Sequence, residues 1–370
     1  MSSVDLGIPK SSVGSTVARL SDAYCKLIKD NMKVTLFPSV MLWGPPGVGK
    51  SQGVRQIAKN IEEETGKKVV VTDVRLLLFN PIDLRGIPTA NEDKTLAVWL
   101  KPKIFQMDES DDVINILFLD EISAAPPSVQ ASAYQITLDR TVGEHKLPDN
   151  CIVIAAGNRV TDQSVATKMP KALANRMMHM DIECSFDSWR QWAILNGINK
   201  KIIGFLSFAP KNLMGEDLPS ECVAFPTPRS WEMVSNVLNY ISDDVFAMSK
   251  LISGLIGTGV YTAFNTWVKV YKDLPNVEDI FKGKDVPVPR ASDALYALIS
   301  SMLEYARKNK DNMQEIANSI RYANKFPPDF AAVLVKDYCS IEKDYKLKLF
   351  KIPEVLRFIQ TKGSMLNGNI

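Results

Sequence analysis

The segment Gly44-Pro45-Pro46-Gly47-Val48-Gly49-Lys50-Ser51 has the spacing G-x-x-x-x-G-K-[ST]. Glycines at these positions let the chain curl tightly, so that backbone N–H groups turn inward around phosphate oxygens. A helix beginning near Lys50 would add the positive end of its dipole. Lys50 then reaches the β- and γ-phosphates, and the Ser51 hydroxyl ligates Mg2+. A second constellation is Ile116-Leu117-Phe118-Leu119-Asp120-Glu121, an apolar strand ending in two acids. On its own it reads as a strand meeting solvent. Beside a phosphate loop, Asp120 suits the metal shell, and Glu121 suits orienting and deprotonating an attacking water. A base aimed at water points to hydrolysis more than to transfer onto a second substrate.

These groups need a scaffold, and the apolar spacing supplies one. Val17, Leu20, Tyr24, Leu27 and Ile28 recur at helical intervals ahead of an apolar strand, Val40 to Trp43. After the glycine-rich turn, Val54, Ile57, Ala58 and Ile61 mark one face of a second helix, which Gly66 is placed to end. Val69 to Thr72, Ile114 to Leu119, Ile152 to Ala156 and His179 to Glu183 complete a set of five strands. Strands alternating with helices imply a parallel sheet covered on both faces, an α/β fold. Thr95 to Leu100 and Thr141 to Leu147 read as parts of inserted hairpins. Beyond Ser185 the segments Trp189–Phe208, Arg229–Ile241, Asp244–Ile256, Ala291–Lys308, Met313–Ala323 and Asp329–Cys339 carry helical periodicity, so the second half is expected to be all-α. Pro275, Pro287 and Pro289 mark 273–290 as linker-like.

Composition limits the classes. With 370 residues, 46% hydrophobic and 23% charged, the chain is too apolar and too ordinary for a disordered, collagen-like or disulfide-scaffold protein. Two domains are expected, 1–185 and 186–370, each within the usual size range. Forty-four basic against 42 acidic residues leave a net charge of +2, which argues against an extended nucleic-acid-binding surface. Arg140 to Lys146 could still set a local field. The five scattered cysteines, without a CxxC pair, read as reduced thiols of a cytoplasmic protein. Met1 to Val13 lacks the basic-then-apolar order of an export signal. The stretch Leu251 to Val268, broken by Gly254, Gly257 and Gly259, makes a poor membrane span.

With the motifs placed, the sequence resembles the AAA+ ATPases and, within them, the MoxR family. The likeness rests on Gly44 to Ser51, on Phe118-Leu119-Asp120-Glu121-Ile122, and on three later segments. Ala155-Ala156-Gly157-Asn158 is similar to the sensor 1 strand, which implies that Asn158 lies beside the γ-phosphate and the water. Ala172-Leu173-Ala174-Asn175-Arg176 resembles the arginine-finger segment, so Arg176 would act on a neighbouring subunit's ATP. Phe225-Pro226-Thr227-Pro228-Arg229 resembles the lid motif, making Arg229 the sensor 2 arginine; locally, Arg229 puts a cation at a helix start, where an anion would relieve it.

The resemblance implies a P-loop NTPase core with three αβα layers and a parallel five-stranded sheet, followed by an all-α lid and C-terminal helical extension. It also implies ATP and Mg2+ as cofactors, a ring-forming homo-oligomer (a hexamer), and a protein substrate or a partner bearing a von Willebrand factor A domain. Adenine specificity comes from the resemblance alone. One departure stands out: the hairpin tip Gly143-Glu144-His145 lacks an aromatic gripping residue, which weighs against threading of a peptide. A DNA-associated motor or loader and an ATP-gated scaffold are the competing readings. His145 and His179 have no nearby Cys or His partner at metal-ligand spacing and read as structural, and the acidic run Asp108 to Asp112 reads as a solvated loop before the Asp120 strand.

Overall fold

The computed structural model describes residues 7–159, 162, 169, 174–215, 222–269, 274–342 and 344–362, with residues 361 and 362 described by their backbone only. The chain divides into two compact units, Met1–Ser185 and Phe186–Ile370.

The first unit is a three-layer sandwich. In chain order it runs β1 (Lys10–Ser12), α1 (Val13–Lys29), β2 (Val40–Trp43), α2 (Lys50–Thr65), β3 (Lys68–Arg75), α3 (Pro81–Arg85), β4 (Ile87–Ala90), β5 (Ala97–Leu100), β6 (Val113–Asp120), α4 (Pro127–Asp139), β7 (Thr141–Val142), β8 (His145–Lys146), β9 (Cys151–Gly157) and β10 (Met178–Glu183). The main sheet has the order β1-β10-β2-β9-β6-β3, and all its pairings are parallel. It therefore has six strands where five were expected. The sixth, β1, is Lys-Ser-Ser, too short and too polar for hydrophobic alternation to reveal. It pairs through its backbone with Asp181 to Glu183, after which the Ser12 hydroxyl accepts from Ser15 N at 3.2 Å to cap α1.

Alternation of side chains along each strand divides the core in two. Ile114, Ile116 and Phe118 of β6 and Ile152, Ile154 and Ala156 of β9 pack with α1 and α2 on one face. Leu117 and Leu119, with Cys151, Val153 and Ala155, pack with α4 on the other. Both faces being covered, the strands read as continuous apolar runs. The inserted hairpins form as β4–β5 and β7–β8. They touch each other where His145 Nε2 lies 2.8 Å from the Trp99 carbonyl, and a Cβ on Gly143 would come within 2.7 Å of the Arg85 carbonyl at the end of α3.

In the described residues of the second unit every regular element is helical. The expected helix Trp189–Phe208 is two, Phe186–Leu195 and Lys200–Phe208. Gly197 turns the chain with φ +72°, and the Asn199 side chain caps the new start by accepting from Lys201 N at 3.0 Å. Within the proline-marked stretch, whose first residue Asp273 lies outside the described residues, Val277–Phe281 forms a short helix. Its Phe281 is buried against Tyr305 at a ring separation of 4.4 Å, so this helix is packed, while 282–290 has no regular structure and is mostly exposed. Leu251 to Val268 splits into Ser249–Ile256 and Thr258–Val268 around Gly257, and no described helix is long and apolar enough to cross a membrane.

Candidate active site

The site forms at the carboxyl ends of three neighbouring strands, β2, β9 and β6, where the sheet leaves backbone groups and loops facing outward. Strand β2 ends at Trp43, and Gly44 extends the pairing by donating its N–H to the Gly157 carbonyl at 3.3 Å. Gly44 also passes so close to β10 that a Cβ there would lie 2.7 Å from the Ile182 carbonyl oxygen. Gly47 and Gly49 then turn the chain with φ of 77° and 110°, values that favour glycine. Helix α2 starts at Lys50, so its first-turn N–H groups have no partners within the helix and face the loop, the arrangement that receives a phosphate. Pro45, Pro46 and Val48 fill the remaining loop positions, Val48 being buried in the core beneath.

Lys50 is buried, and its ammonium is held inside the loop. Nζ donates to the Gly44 carbonyl at 2.5 Å, to the Pro45 carbonyl at 3.0 Å and to Asn158 Oδ1 at 3.0 Å. Ser51 Oγ donates to Asp120 Oδ2 at 2.8 Å, while Asp120 Oδ1 accepts from the Glu121 N–H at 2.9 Å. Glu121 adopts φ 57°, unusual for a residue with a side chain. The strand reverses there, returning Ile122 N to the Ala156 carbonyl at 3.0 Å and leaving Glu121 exposed. Thus five of the residues singled out in the sequence, Lys50, Ser51, Asp120, Glu121 and Asn158, converge in one place.

The donor set also fits a magnesium ion. Ser51 and Asp120 offer two hard oxygen ligands already drawn together. Among the described residues no group of three or more His, Cys, Asp or Glu side chains could cage a metal. Mg2+ takes few protein ligands and completes its shell from phosphate and water, so this sparse pair suits it better than a structural-metal cage would.

Of the two remaining arginines, Arg176 is not part of that cluster and Arg229 belongs to the other unit. Arg176 is exposed in the turn leading to β10 and has no hydrogen bond or ion pair among the described residues; Ala172 and Leu173 of its segment lie outside those residues. Arg229 belongs to the second unit, exposed in the first turn of the helix Pro228–Asn236. Thr227 caps that helix, accepting from Ser230 N at 3.0 Å. Arg140, considered for a local field at the hairpin, instead points inward and donates to the Cys151 carbonyl. It takes a left-handed conformation at the end of α4 with φ 52°, which turns its side chain back to the sheet.

Three groups around the site escaped the sequence reading. Ser123, buried two residues after Glu121, accepts the Asn158 N–H on its hydroxyl at 2.9 Å. Arg159 forms an ion pair with Asp181. Trp43 Nε1 donates to His179 Nδ1 at 2.9 Å with the two rings stacked, so His179 carries its proton on Nε2 and donates it to the Ala174 carbonyl at 2.7 Å. His179, read as structural, thus links the strand before the phosphate loop to the turn bearing Arg176. A serine, an arginine and a tryptophan carry no spacing signal of their own; only the sheet order brings them to the site.

No curated protein matches the sequence. Among solved structures, similar ones include PCH-2 of C. elegans, at 13% identity over 69% of this chain and 67% of that one with a TM-score of 0.35. A RuvB mutant of Thermotoga maritima matches at 15% identity over 79% and 84%, TM-score 0.34. NtrX of Brucella abortus in complex with ADP matches at 13% identity over 96% and 70%, TM-score 0.35. From just before β2 to the second residue of β10, the stretch that holds Gly44 to Ser51, Asp120, Glu121 and Asn158, the chain is similar to the ATPase family associated with various cellular activities (AAA), whose model matches residues 39–179.

Proposed function

We propose that the first unit binds ATP with Mg2+ and hydrolyses it, and that the chain works as a ring-forming AAA+ ATPase of the MoxR type. The observation that carries this reading is the pairing of Lys50 with Asn158 and of Ser51 with Asp120, which joins the phosphate loop to the ends of the two adjacent strands. The loop N–H groups and Lys50 bind the β- and γ-phosphates, the ammonium exchanging neutral carbonyl oxygens for charged phosphate oxygens. Ser51 and Asp120 would hold Mg2+, which would supply charge neutralisation at the phosphates. Asn158 Oδ1 already faces Lys50, so its amide is set to span the ammonium and the water that attacks the γ-phosphate. Glu121, exposed at the mouth, takes the proton from that water, a role worth about 10²–10⁴ in rate.

Arg176, exposed and unpaired among the described residues, is available to complete the site of a neighbouring subunit, and Arg229 to read the γ-phosphate from the second unit. A ring, a hexamer by family resemblance, then uses hydrolysis in the cytoplasm to remodel or activate a protein, together with a partner bearing a von Willebrand factor A domain. Glu121→Gln should abolish steady-state turnover while ATP still binds, and Lys50→Ala should abolish binding itself. Hydrolysis at the wild-type rate in Glu121→Gln would falsify the assignment of the base.

A further inference from the structure

Arg159 follows Asn158 directly, and its guanidinium is tied down at several points. Nε donates to Asp181 Oδ1 at 2.6 Å, and a terminal nitrogen donates to the same oxygen and, at 2.8 Å, to the Ile182 carbonyl. The other terminal nitrogen lies 3.4 Å from Asp162 Oδ1, and the Arg159 N–H donates to Asp162 Oδ2 at 2.7 Å. Asp181 is buried at 4% exposure, so this is an interior ion pair.

The sheet order gives the contact its meaning. β10 is not a neighbour of β9, because β2 lies between them. To reach Asp181, the Arg159 side chain crosses the end of β2, where Gly44 opens the phosphate loop. The Ile182 carbonyl that it holds is the same oxygen a Cβ on Gly44 would strike. One guanidinium therefore sets the separation between the residue after Asn158 and the strand beyond the loop, with the loop entry between them. From the other side, Ser123 holds the Asn158 N–H.

We infer that Arg159, anchored by Asp181, is a positioning residue that keeps the Asn158 amide aligned on Lys50 and the γ-phosphate. The sheet does not need this pair for cohesion: backbone ladders already join β9, β2 and β10, and an interior ion pair is commonly replaceable by apolar side chains of similar size without loss of stability. A planar fork gripping a carboxylate and a carbonyl at once supplies direction, which a lysine, keeping the charge but not the two-point grip, supplies only in part and an apolar contact not at all. Misplacing a group that orients the reacting atoms lowers turnover more than it lowers affinity, since the loop N–H groups and Lys50 still hold the phosphates.

This inference rests on the ATPase reading, and the test keeps the two apart. In the whole 370-residue chain, Arg159→Met/Asp181→Leu removes both charges of the Arg159–Asp181 pair, and Asp162 keeps the Arg159 backbone N–H as its donor, so it is built alongside Arg159→Lys. ATP affinity, kcat, KM, the melting temperature and hydrogen exchange at the Asn158 amide are measured for each. The double variant should melt close to the wild type and bind ATP within about threefold, with kcat lower by about tenfold or more and with faster Asn158 exchange. Arg159→Lys should recover part of the lost turnover. A double variant with wild-type kcat and unchanged Asn158 exchange overturns the proposal, as does a fall in kcat that merely follows lost folding or lost ATP binding. If the wild-type chain itself shows no ATP turnover, the ATPase reading fails, and the Asn158 exchange rates alone decide whether Arg159 holds that residue in place.

Discussion

Gly157 is the last residue of β9, one position before Asn158, and an added methyl group there tests how tightly the site is built. A Cβ at Gly157 would lie 2.9 Å from Met41 Cε, 2.9 Å from Ser123 Oγ and 3.1 Å from Ser123 Cβ. The Met41 methyl ends a flexible side chain and can swing aside. Ser123 cannot retreat without giving up the hydroxyl that receives the Asn158 N–H. Overpacking a well-filled interior costs about 1–3 kcal/mol, and losing one such hydrogen bond about 1 kcal/mol. Gly157→Ala should therefore cost about 2–4 kcal/mol, whereas Ser123→Ala alone should cost about 1 kcal/mol. In the Ser123→Ala background the clash with Oγ is gone and the hydrogen bond is already lost, so the glycine substitution should cost only about 1 kcal/mol. Denaturant unfolding of the four proteins in this cycle gives the stabilities, and exchange of the Asn158 amide reports the bond directly. Equal cost for Gly157→Ala in both backgrounds, or an Asn158 amide that exchanges equally slowly in all four, refutes the contact geometry.

Arg190 and Asp337 form a buried pair at 2.5 Å in the second unit, and the Arg190 Nε is buried with no hydrogen-bond partner among the described residues. Asp337→Leu alone should destabilise by about 3–5 kcal/mol through the stranded guanidinium, while Arg190→Met/Asp337→Leu should be near neutral; equal losses in urea denaturation would count against this. Burial pushes the Cys151 and Cys339 thiols up to about 11, so at pH 8 both remain protonated and poorly nucleophilic, whereas Cys222 is exposed. Iodoacetamide at pH 8 should label Cys222 fastest in the native protein, half-buried Cys339 slowly, and Cys151 only after denaturation. Mass mapping that finds native Cys151 labelled as fast as Cys222 contradicts the burial.

Much of the first unit could be read locally because its signals are local. Gly47 and Gly49 sit where φ is positive, the adjoining residues begin a helix whose apolar face repeats every three or four positions, and β6 and β9 are apolar on both sides because helices cover both sheet faces. Asp120 and Glu121 were visible as acids at the end of such a strand. What stayed hidden depends on backbone pairing or on a single break. β1 has three polar residues and exists because β10 offers it an edge. Gly197 splits a helical pattern that keeps its period on either side, so periodicity alone merges Phe186–Leu195 with Lys200–Phe208.

Ser123, Arg159 and Asp181 were illegible for a different reason. Asn158 lies 35 residues from Ser123, and Arg159 lies 22 from Asp181, separations at which no local pattern survives. Their meeting follows from strand order: with β2 placed between β9 and β10, any side chain joining those two must pass the mouth of the phosphate loop. The same order makes Gly44 a glycine, since β10 brings the Ile182 carbonyl against it. It also puts Trp43 beside His179, whose second nitrogen holds the Ala174 carbonyl two residues before Arg176. β10 thus approaches the loop from the side opposite Asp120 and Glu121, contributing no reacting group and yet contacting the residues on either side of the Trp43–Gly44 bond. A substitution that moves β10 should therefore disturb Asn158 through Arg159 and the Arg176 turn through His179 together, even though neither Asn158 nor Arg176 lies on that strand.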